Sequence, residues 1–556
     1  MIFSIMLGSV AFGDNPLDLY SRDAKGLNGV VAAAKPEASQ VGLDILKKGG
    51  NAVDAAVATG FALGVLEPNA SGLGGGGFML IRMADTGKTV VIDFRETAPS
   101  YAKADMFKLD ENGKQIGKES SIGGKASGVP GEVAGLLTAL EQYGTMERSV
   151  VMQPAIDWAE KGIPVTVNLA QIISDEFEKL SMFPATAEIY LKDGLPYENG
   201  DKIVLKDLAN TLKAISKGGK DAFYQGGIGS LAYKIAKGVQ KEGGCLVIDD
   251  LKNYKPEIRE AVTGTYRGYT IISTPPASSG GTHIIQLLNI MENLDLKKMG
   301  DNTADTLHAW AESMKMMFAD RSKYMADTAF VKVPLKGLTS KEYAKELFNK
   351  IDMTKPAAAV EAGDPWKNES GSTTSFSIMD KHGNMVTVTK SINTFFSSGV
   401  VIPGTGILMN NHMDDFVLKP GSVNSITPGK RPLSSMSPTF VLDPQNRPFM
   451  TLGSPGATRI ITTVAQTISN VIDHGMDIQQ AIMAPKVFQM QSGPLSIEGR
   501  ISINSYEGLK AKGHEVTVRG DYDNYFGGVH AVLMDYETNE LHGGADPRRD
   551  GQAAGF

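Results

Sequence analysis

The densest chemistry in the chain lies between Glu369 and Asn393. Two alternating segments flank Lys381-His382-Gly383, where a glycine takes a positive φ at no steric cost. Pairing Asp380 with Asn384 predicts a β-hairpin that sets Thr373 opposite Ser391, Ser375 opposite Thr389 and Ser377 opposite Thr387. These hydroxyls share one face with Cβ atoms about 5 Å apart, and Asn393 follows two residues beyond Ser391. The opposite face carries Phe376, Ile378, Val386, Val388 and Ile392, a layer fit for a core. An ordinary solvated hairpin has the same pattern. What sets this one apart is the polar, aperiodic run Asp352 to Ser372, rich in Ala, Gly and Pro, which stops at the strand. Scission between Ser372 and Thr373 would leave Thr373 with its own amine beside its own hydroxyl, an activated nucleophile. An α-amine has an ordinary pKa of about 7.7–8.0, so much of it is free base near neutrality.

A second candidate is Gly453-Ser454-Pro455-Gly456-Ala457, between an expected strand and an expected helix. Backbone N–H groups at such a turn can hold an oxyanion; a tight strand–helix turn needs no such role. The eight histidines show no HxxxH, HxH or HExxH spacing, so no catalytic metal is expected, and no cofactor is implied. There is no GxSxG elbow. Gly72 to Gly77 contains a nominal GxGxxG, but a helix precedes it and a strand follows. That order is the reverse of a dinucleotide site, so the run reads as close backbone approach within a core.

The elements that must position these groups are a helix over 36–48 stopped by Gly49-Gly50 and a second over 54–66 ended by Pro68. Strands are expected at 78–82, 89–94 (delivering Arg95), 439–443, 449–452 and 530–535, and a helix over 458–471. Residues 130–350 read as a helical layer without chemistry of its own, with a structural turn at Pro275-Pro276. The 556 residues are 42% hydrophobic and 21% charged, as in globular chains, and the net charge of −7 argues against nucleic acid or an acidic membrane as partner. Cys245 alone forms no intrachain disulfide and reads as a small hydrophobe. Residues 1–13 resemble the apolar part of an export signal without its basic start, and are too short to span a bilayer. The protein is accordingly expected in the periplasm or outside the cell, or in the cytoplasm if 1–13 is no signal.

Glu-Ser-Gly-Ser-Thr-Thr at 369–374, Asn-Asn-His-Met-Asp-Asp-Phe at 410–416, Arg-Pro-Leu-Ser-Ser-Met-Ser-Pro-Thr at 431–439 and Gly-Ser-Pro-Gly-Ala at 453–457 resemble the γ-glutamyltransferases, which are N-terminal nucleophile hydrolases. Matching stretches at 49–56, 72–78, 93–96, 275–281 and 545–548 extend the likeness over nearly the whole chain in order. The resemblance implies an α/β (α+β) four-layer αββα sandwich, cut between Ser372 and Thr373 into a large subunit (14–372 after a signal at 1–13) and a small one (373–556). The two would form a heterodimer. It makes Thr373 the nucleophile, Thr374 and Ser391 its helpers, and Gly456 and Ala457 the oxyanion donors. Arg95, Ser434 and Ser435 would hold the substrate α-carboxylate; Asn393, His412 and Asp415 would hold the α-ammonium. The implied donors are γ-glutamyl compounds such as glutathione, and the acceptors water, amino acids or peptides.

Three positions depart from the pattern. Ala457 replaces a glycine, which matters if φ there is positive. Ser391 replaces the common threonine and keeps the hydroxyl. His412 stands where Gln or Glu is common, and a protonated imidazole would repel an ammonium, predicting an acid limb near pH 6.5. A short Phe416–Arg431 segment predicts a wide pocket open to peptides or γ-glutamyl polymers. Two alternatives remain: an acylase for glutaryl or other side chains, resembling cephalosporin acylases, and an uncut binding homologue.

Overall fold

The computed structural model describes residues 22–358, 360 and 372–556. The expected signal at 1–13 and Glu369, Ser370 and Gly371 ahead of the scission point lie outside the described residues. Fourteen strands, numbered along the chain, build two large sheets. They are β1 (Ala24–Gly26), β2 (Gly29–Ala33), β3 (Gly76–Arg82), β4 (Thr89–Asp93), β5 (Glu257–Arg259), β6 (Val262–Tyr266) and β7 (Tyr269–Ser273). Then come β8 (Ser372–Asp380), β9 (Met385–Asn393), β10 (Thr439–Leu442), β11 (Pro448–Gly453), β12 (His530–Asp535), β13 (Glu540–Ala545) and β14 (Gln552–Gly555). One sheet has the order β14-β2-β8-β9-β3-β4-β5, the other β1-β13-β12-β11-β10-β7-β6, and every neighbouring pair is antiparallel.

Period-two alternation explains the layering. In the first sheet Val31, Ala33, Met79, Ile81, Phe376 and Val388 join one core with Val41, Ile45, Val57 and Phe61 of the helices α1 (Pro36–Lys47) and α2 (Ala52–Leu66). Their neighbours Val30, Ala32, Phe78, Leu80 and Met379 face the other way, into a core shared with Phe440, Met450 and Leu452 of the second sheet. Helices α3 (Glu132–Tyr143), α4 (Gly280–Met291), α5 (Ala304–Tyr324) and α6 (Arg459–Ile472) complete the outer layers: α3 packs in the first core, the other three in the second. This is the expected αββα sandwich.

Helix α2 starts at Ala52, two residues before the expected Asp54. Asn51 is the N-cap and accepts from the Val53 and Asp54 N–H groups, while Asp54 returns a bond to the Asn51 N–H, a reciprocal cap. The glycine run at 72–77 behaves as expected. A Cβ on Gly74 would sit 2.0 Å from the Leu408 carbonyl oxygen, and one on Gly75 2.2 Å from that of Ser391. The backbone here passes directly beneath the strand that carries the site. Among the described residues no helix is long and apolar enough to cross a membrane.

Candidate active site

The β8–β9 hairpin turns where expected: the Asp380 N–H donates to the Asn384 carbonyl at 3.2 Å, and Gly383 has φ +83°. Ser375 pairs with Thr389 and Ser377 with Thr387. The hydroxyl face is not solvated, because the second sheet covers it; the Ser377 hydroxyl donates to the His530 carbonyl at 2.9 Å. Near the start of β8 the register shifts. Ser372 pairs with Asn393 and Thr374 with Lys390, so Thr373 faces an extra residue on β9. The expected contact survives: Thr373 Oγ1 donates to Ser391 Oγ at 3.4 Å, and that oxygen also accepts the Asn393 N–H at 2.6 Å. Asn393 has φ +88°, and its amide donates to the Asn411 carbonyl at 3.2 Å.

Thr374 does not share the site. Successive strand residues point to opposite faces, and its buried hydroxyl has no hydrogen-bond partner among the described residues. Lys390, beside Ser391, likewise faces away and pairs with Glu132 at 2.7 Å, both side chains fully buried. Burial pushes the Glu132 carboxyl up to about 6 although Lys390 opposes the shift.

Between β11 and α6 the chain passes through Gly456 with φ +125° and Ala457 with φ +52°. The Ser454 hydroxyl donates to the Pro455 carbonyl at 2.8 Å and accepts the Gly528 N–H at 3.1 Å, which fixes the turn. The Gly456 and Ala457 carbonyls accept from Arg459 and Ile460, at 3.0 and 3.1 Å, and so start the helix. Their own N–H groups meet no acceptor among the described residues. Residue 457 therefore sits at a positive φ, and its alanine carries a strain of about 1–2 kcal/mol that glycine would not.

The charged end is built on Arg95, delivered by β4 and fully buried. Arg95 Nη2 donates to the Asp415 carboxylate, Nη1 to Glu96 Oε2 at 3.4 Å and Nε to the Pro432 carbonyl at 3.3 Å. Glu96 Oε1 lies 2.8 Å from His412 Nδ1. Burial pushes the Glu96 carboxyl up to about 8, against the pull of Arg95. Burial, and then the Arg95 charge, hold His412 well below its ordinary value. Both shifts favour an uncharged Glu96 carboxyl beside a neutral imidazole, although neither facing atom has a hydrogen-bond partner among the described residues. The expected acid limb near pH 6.5 from His412 is thereby corrected: its environment opposes protonation.

Ser434 and Ser435 follow Pro432 on a segment clamped by the turn at 275–281. The Ser279 N–H and hydroxyl both donate to the Ser434 carbonyl, at 2.8 Å each. Sequence reasoning assigned no chemistry to α5, yet Arg321 of that helix donates from Nη2 to Ser435 Oγ at 2.8 Å and from Nε to Ser279 Oγ at 2.9 Å. A cavity of about 1120 Å³ gathers Thr373, Ser391, Asn393, Arg95, His412, Asp415, Ser434, Ser435, Ala457 and Arg321 on its wall. Gly456, Ser372 and Thr374 are not among its lining residues. Lys118, Lys179, Met182, Leu418 and Lys419 also line the cavity. Elsewhere, His308, Glu312 and His514 come together, but His308 Nδ1 and His514 Nε2 bond each other at 2.7 Å, and Glu312 is taken by Lys315 and the Ala357 N–H.

A family model described as gamma-glutamyltranspeptidase matches residues 38–556. A glutathione hydrolase proenzyme of Escherichia coli (strain K12) is 44% identical over 543 residues, covering 95% of this chain and 92% of its own length. An acylase ACY 1 proenzyme of Pseudomonas sp. (strain SE83) is 41% identical over 538 residues, covering 95% and 94%. The crystal structure of a cephalosporin acylase from Bacillus halodurans superposes with a TM-score of 0.87, at 30% identity, over 100% of this chain and 99% of its own. From its matched motifs, its two-sheet architecture and these relatives, the chain belongs to the gamma-glutamyltranspeptidase family and has the N-terminal nucleophile hydrolase fold.

Proposed function

We propose that the protein is a γ-glutamyltransferase and glutathione hydrolase that matures by cutting itself between Ser372 and Thr373. The observation that carries this reading is one cavity wall holding the Thr373 hydroxyl, the Ala457 turn and the Arg95–Asp415 pair. In the uncut chain the Thr373 hydroxyl adds to the Ser372 carbonyl, the C–N bond breaks to give an ester, and water hydrolyses it. The products are a large subunit ending at Ser372 and a small subunit, 373–556, held together by the shared first sheet.

In the mature enzyme the Thr373 amine takes the hydroxyl proton as Oγ1 attacks the γ-carbonyl of the donor. The Gly456 and Ala457 N–H groups stabilise the oxyanion. Collapse returns the proton to the leaving amine and leaves a γ-glutamyl ester on Thr373. Water then releases glutamate, or an amino acid or peptide takes the acyl group. Ser391 fixes the Thr373 rotamer, and Asn393 lines the ammonium side with His412 and Asp415. Thr374 lies on the opposite face of the strand and touches no substrate. The donor brings its own zwitterion: its α-carboxylate replaces Asp415 on Arg95 while its α-ammonium replaces Arg95 on Asp415, so no charge is left unpaired.

Intact-mass measurement of the purified protein tests the reading. Two masses meeting at the 372/373 bond, with a single uncut mass and no turnover for Thr373→Ala, are expected; an uncut chain that still releases glutamate would end it. The same masses report whether residues 1–13 are removed, as an exported protein requires. An acylase reading is favoured by one feature, the neutral His412 in place of a carboxamide. Turnover of glutaryl p-nitroanilide faster than of γ-glutamyl p-nitroanilide would establish it.

A further inference from the structure

Arg95 is not the only guanidinium at the charged end of the cavity. Arg321 sits in the last turn of α5, is only 2% exposed, and reaches the cavity wall behind the serine pair. Its fork spans two hydroxyls, Nε on Ser279 and Nη2 on Ser435, and Ser279 passes the contact on by donating to the Ser434 carbonyl.

A serine hydroxyl has one proton to give and two lone pairs to receive with. Ser435 Oγ receives from Arg321, and Ser434 Oγ receives from the Met436 N–H at 3.1 Å. Neither hydroxyl donates to any group among the described residues. Both protons are thus left for an acceptor in the cavity, and the Ser435 oxygen already accepts from a guanidinium, which strengthens its own O–H as a donor. We propose that Arg321 is a specificity-determining positioning residue: through Ser435 and Ser279 it makes the serine pair a donor site for the substrate α-carboxylate. This deepens the function proposed above and rests on it. A planar fork spanning two hydroxyls is work for arginine and not for lysine.

The test compares γ-glutamyl p-nitroanilide with γ-aminobutyryl p-nitroanilide, which lacks only the α-carboxylate. Arg321→Met is expected to lower kcat/KM for the first by about 10- to 100-fold, mostly through KM, and for the second by less than about 3-fold. Arg321→Lys should recover part of the loss. Ser279→Ala, which removes one anchor and no charge, should shift selectivity the same way by a smaller factor, and serves if Arg321→Met fails to self-cleave or fold. Equal losses on both substrates, or none on either, would overturn the role of Arg321. Failure of the broader reading looks different: the unsubstituted protein itself would show no preference for the γ-glutamyl substrate.

Discussion

The two ends of the cavity are built on opposite plans. At the charged end the cations already have protein partners: Arg95 holds Asp415 and Arg321 holds Ser435, while Glu96 lies against His412. A zwitterionic ligand binds there by taking over the Arg95–Asp415 pair, so the end selects for ligands that replace both of its halves. At the turn between β11 and α6 the Gly456 and Ala457 N–H groups have no acceptor, and the backbone is held in a strained conformation before any substrate arrives. That end cannot tell one acyl group from another, but it costs no reorganisation when negative charge develops. The difference separates recognition by exchange from catalysis by preorganisation.

Breaking the exchange at its centre should give the largest effect. Asp415→Asn leaves the buried Arg95 guanidinium without its carboxylate and the substrate ammonium without an acceptor. We expect kcat/KM for γ-glutamyl p-nitroanilide to fall by about 100- to 1000-fold, in line with the cost of removing one partner of a buried pair. Glutaryl p-nitroanilide, which keeps the carboxylate and lacks the ammonium, should lose at least 10-fold less on the same scale. A uniform loss on the two anilides, with self-cleavage intact, would mean that the pair is structural and the exchange does not occur.

The Glu96–His412 contact sharpens the same end through pH. The Glu96 carboxyl is raised in the folded protein to about 8 from an ordinary 4.5, so the native state holds a proton there that the unfolded chain releases. The contribution is fully present below about 4.5, the unfolded value, and is lost as pH rises through about 8. Stability should therefore decline over that window. Glu96→Gln, which keeps the shape but cannot ionise, should flatten the decline in melting temperature between those pH values. An unchanged slope would place the proton elsewhere. His412→Gln should leave the acid limb of kcat/KM where it is, since the imidazole is held neutral.

The parts of this cavity that could be read from the sequence are those set by local period. Alternation alone gave the pairing of Ser375 with Thr389 and the Thr373–Ser391 contact. It could not reveal the register shift beside them, because one added residue leaves the alternation on either side intact. Nor could it distinguish a wet face from one covered by a second sheet, since hydroxyls suit both. The departures at His412 and Ala457 were visible as residue types, but their consequences depend on burial and φ, which are tertiary facts. Arg321 was missed for a related reason. Its helix has fifteen buried residues, charged ones included, so no polar stripe marks which side chain turns toward a cavity. Glu96 was passed over beside Arg95 because its partner, His412, is contributed by a distant segment.

The smallest expected effect lies at the preorganised end, and it separates the two plans most sharply. Ala457 has φ +52°, in the left-handed region where a Cβ meets the following carbonyl. Replacing it with glycine removes that clash but also gives the unfolded chain more freedom, and the two effects oppose each other. Where φ is positive the first outweighs the second, so Ala457→Gly should stabilise the protein by about 0.5–1 kcal/mol. The donor N–H is retained in the same turn, so kcat should change by less than about 3-fold, and the γ-glutamyl to glutaryl preference should not move at all. A thermal melt and two Michaelis curves suffice. A lower melting temperature would show that the turn relaxes around alanine and is not strained; a shift in preference would show that the turn takes part in recognition, and that the two ends are not independent.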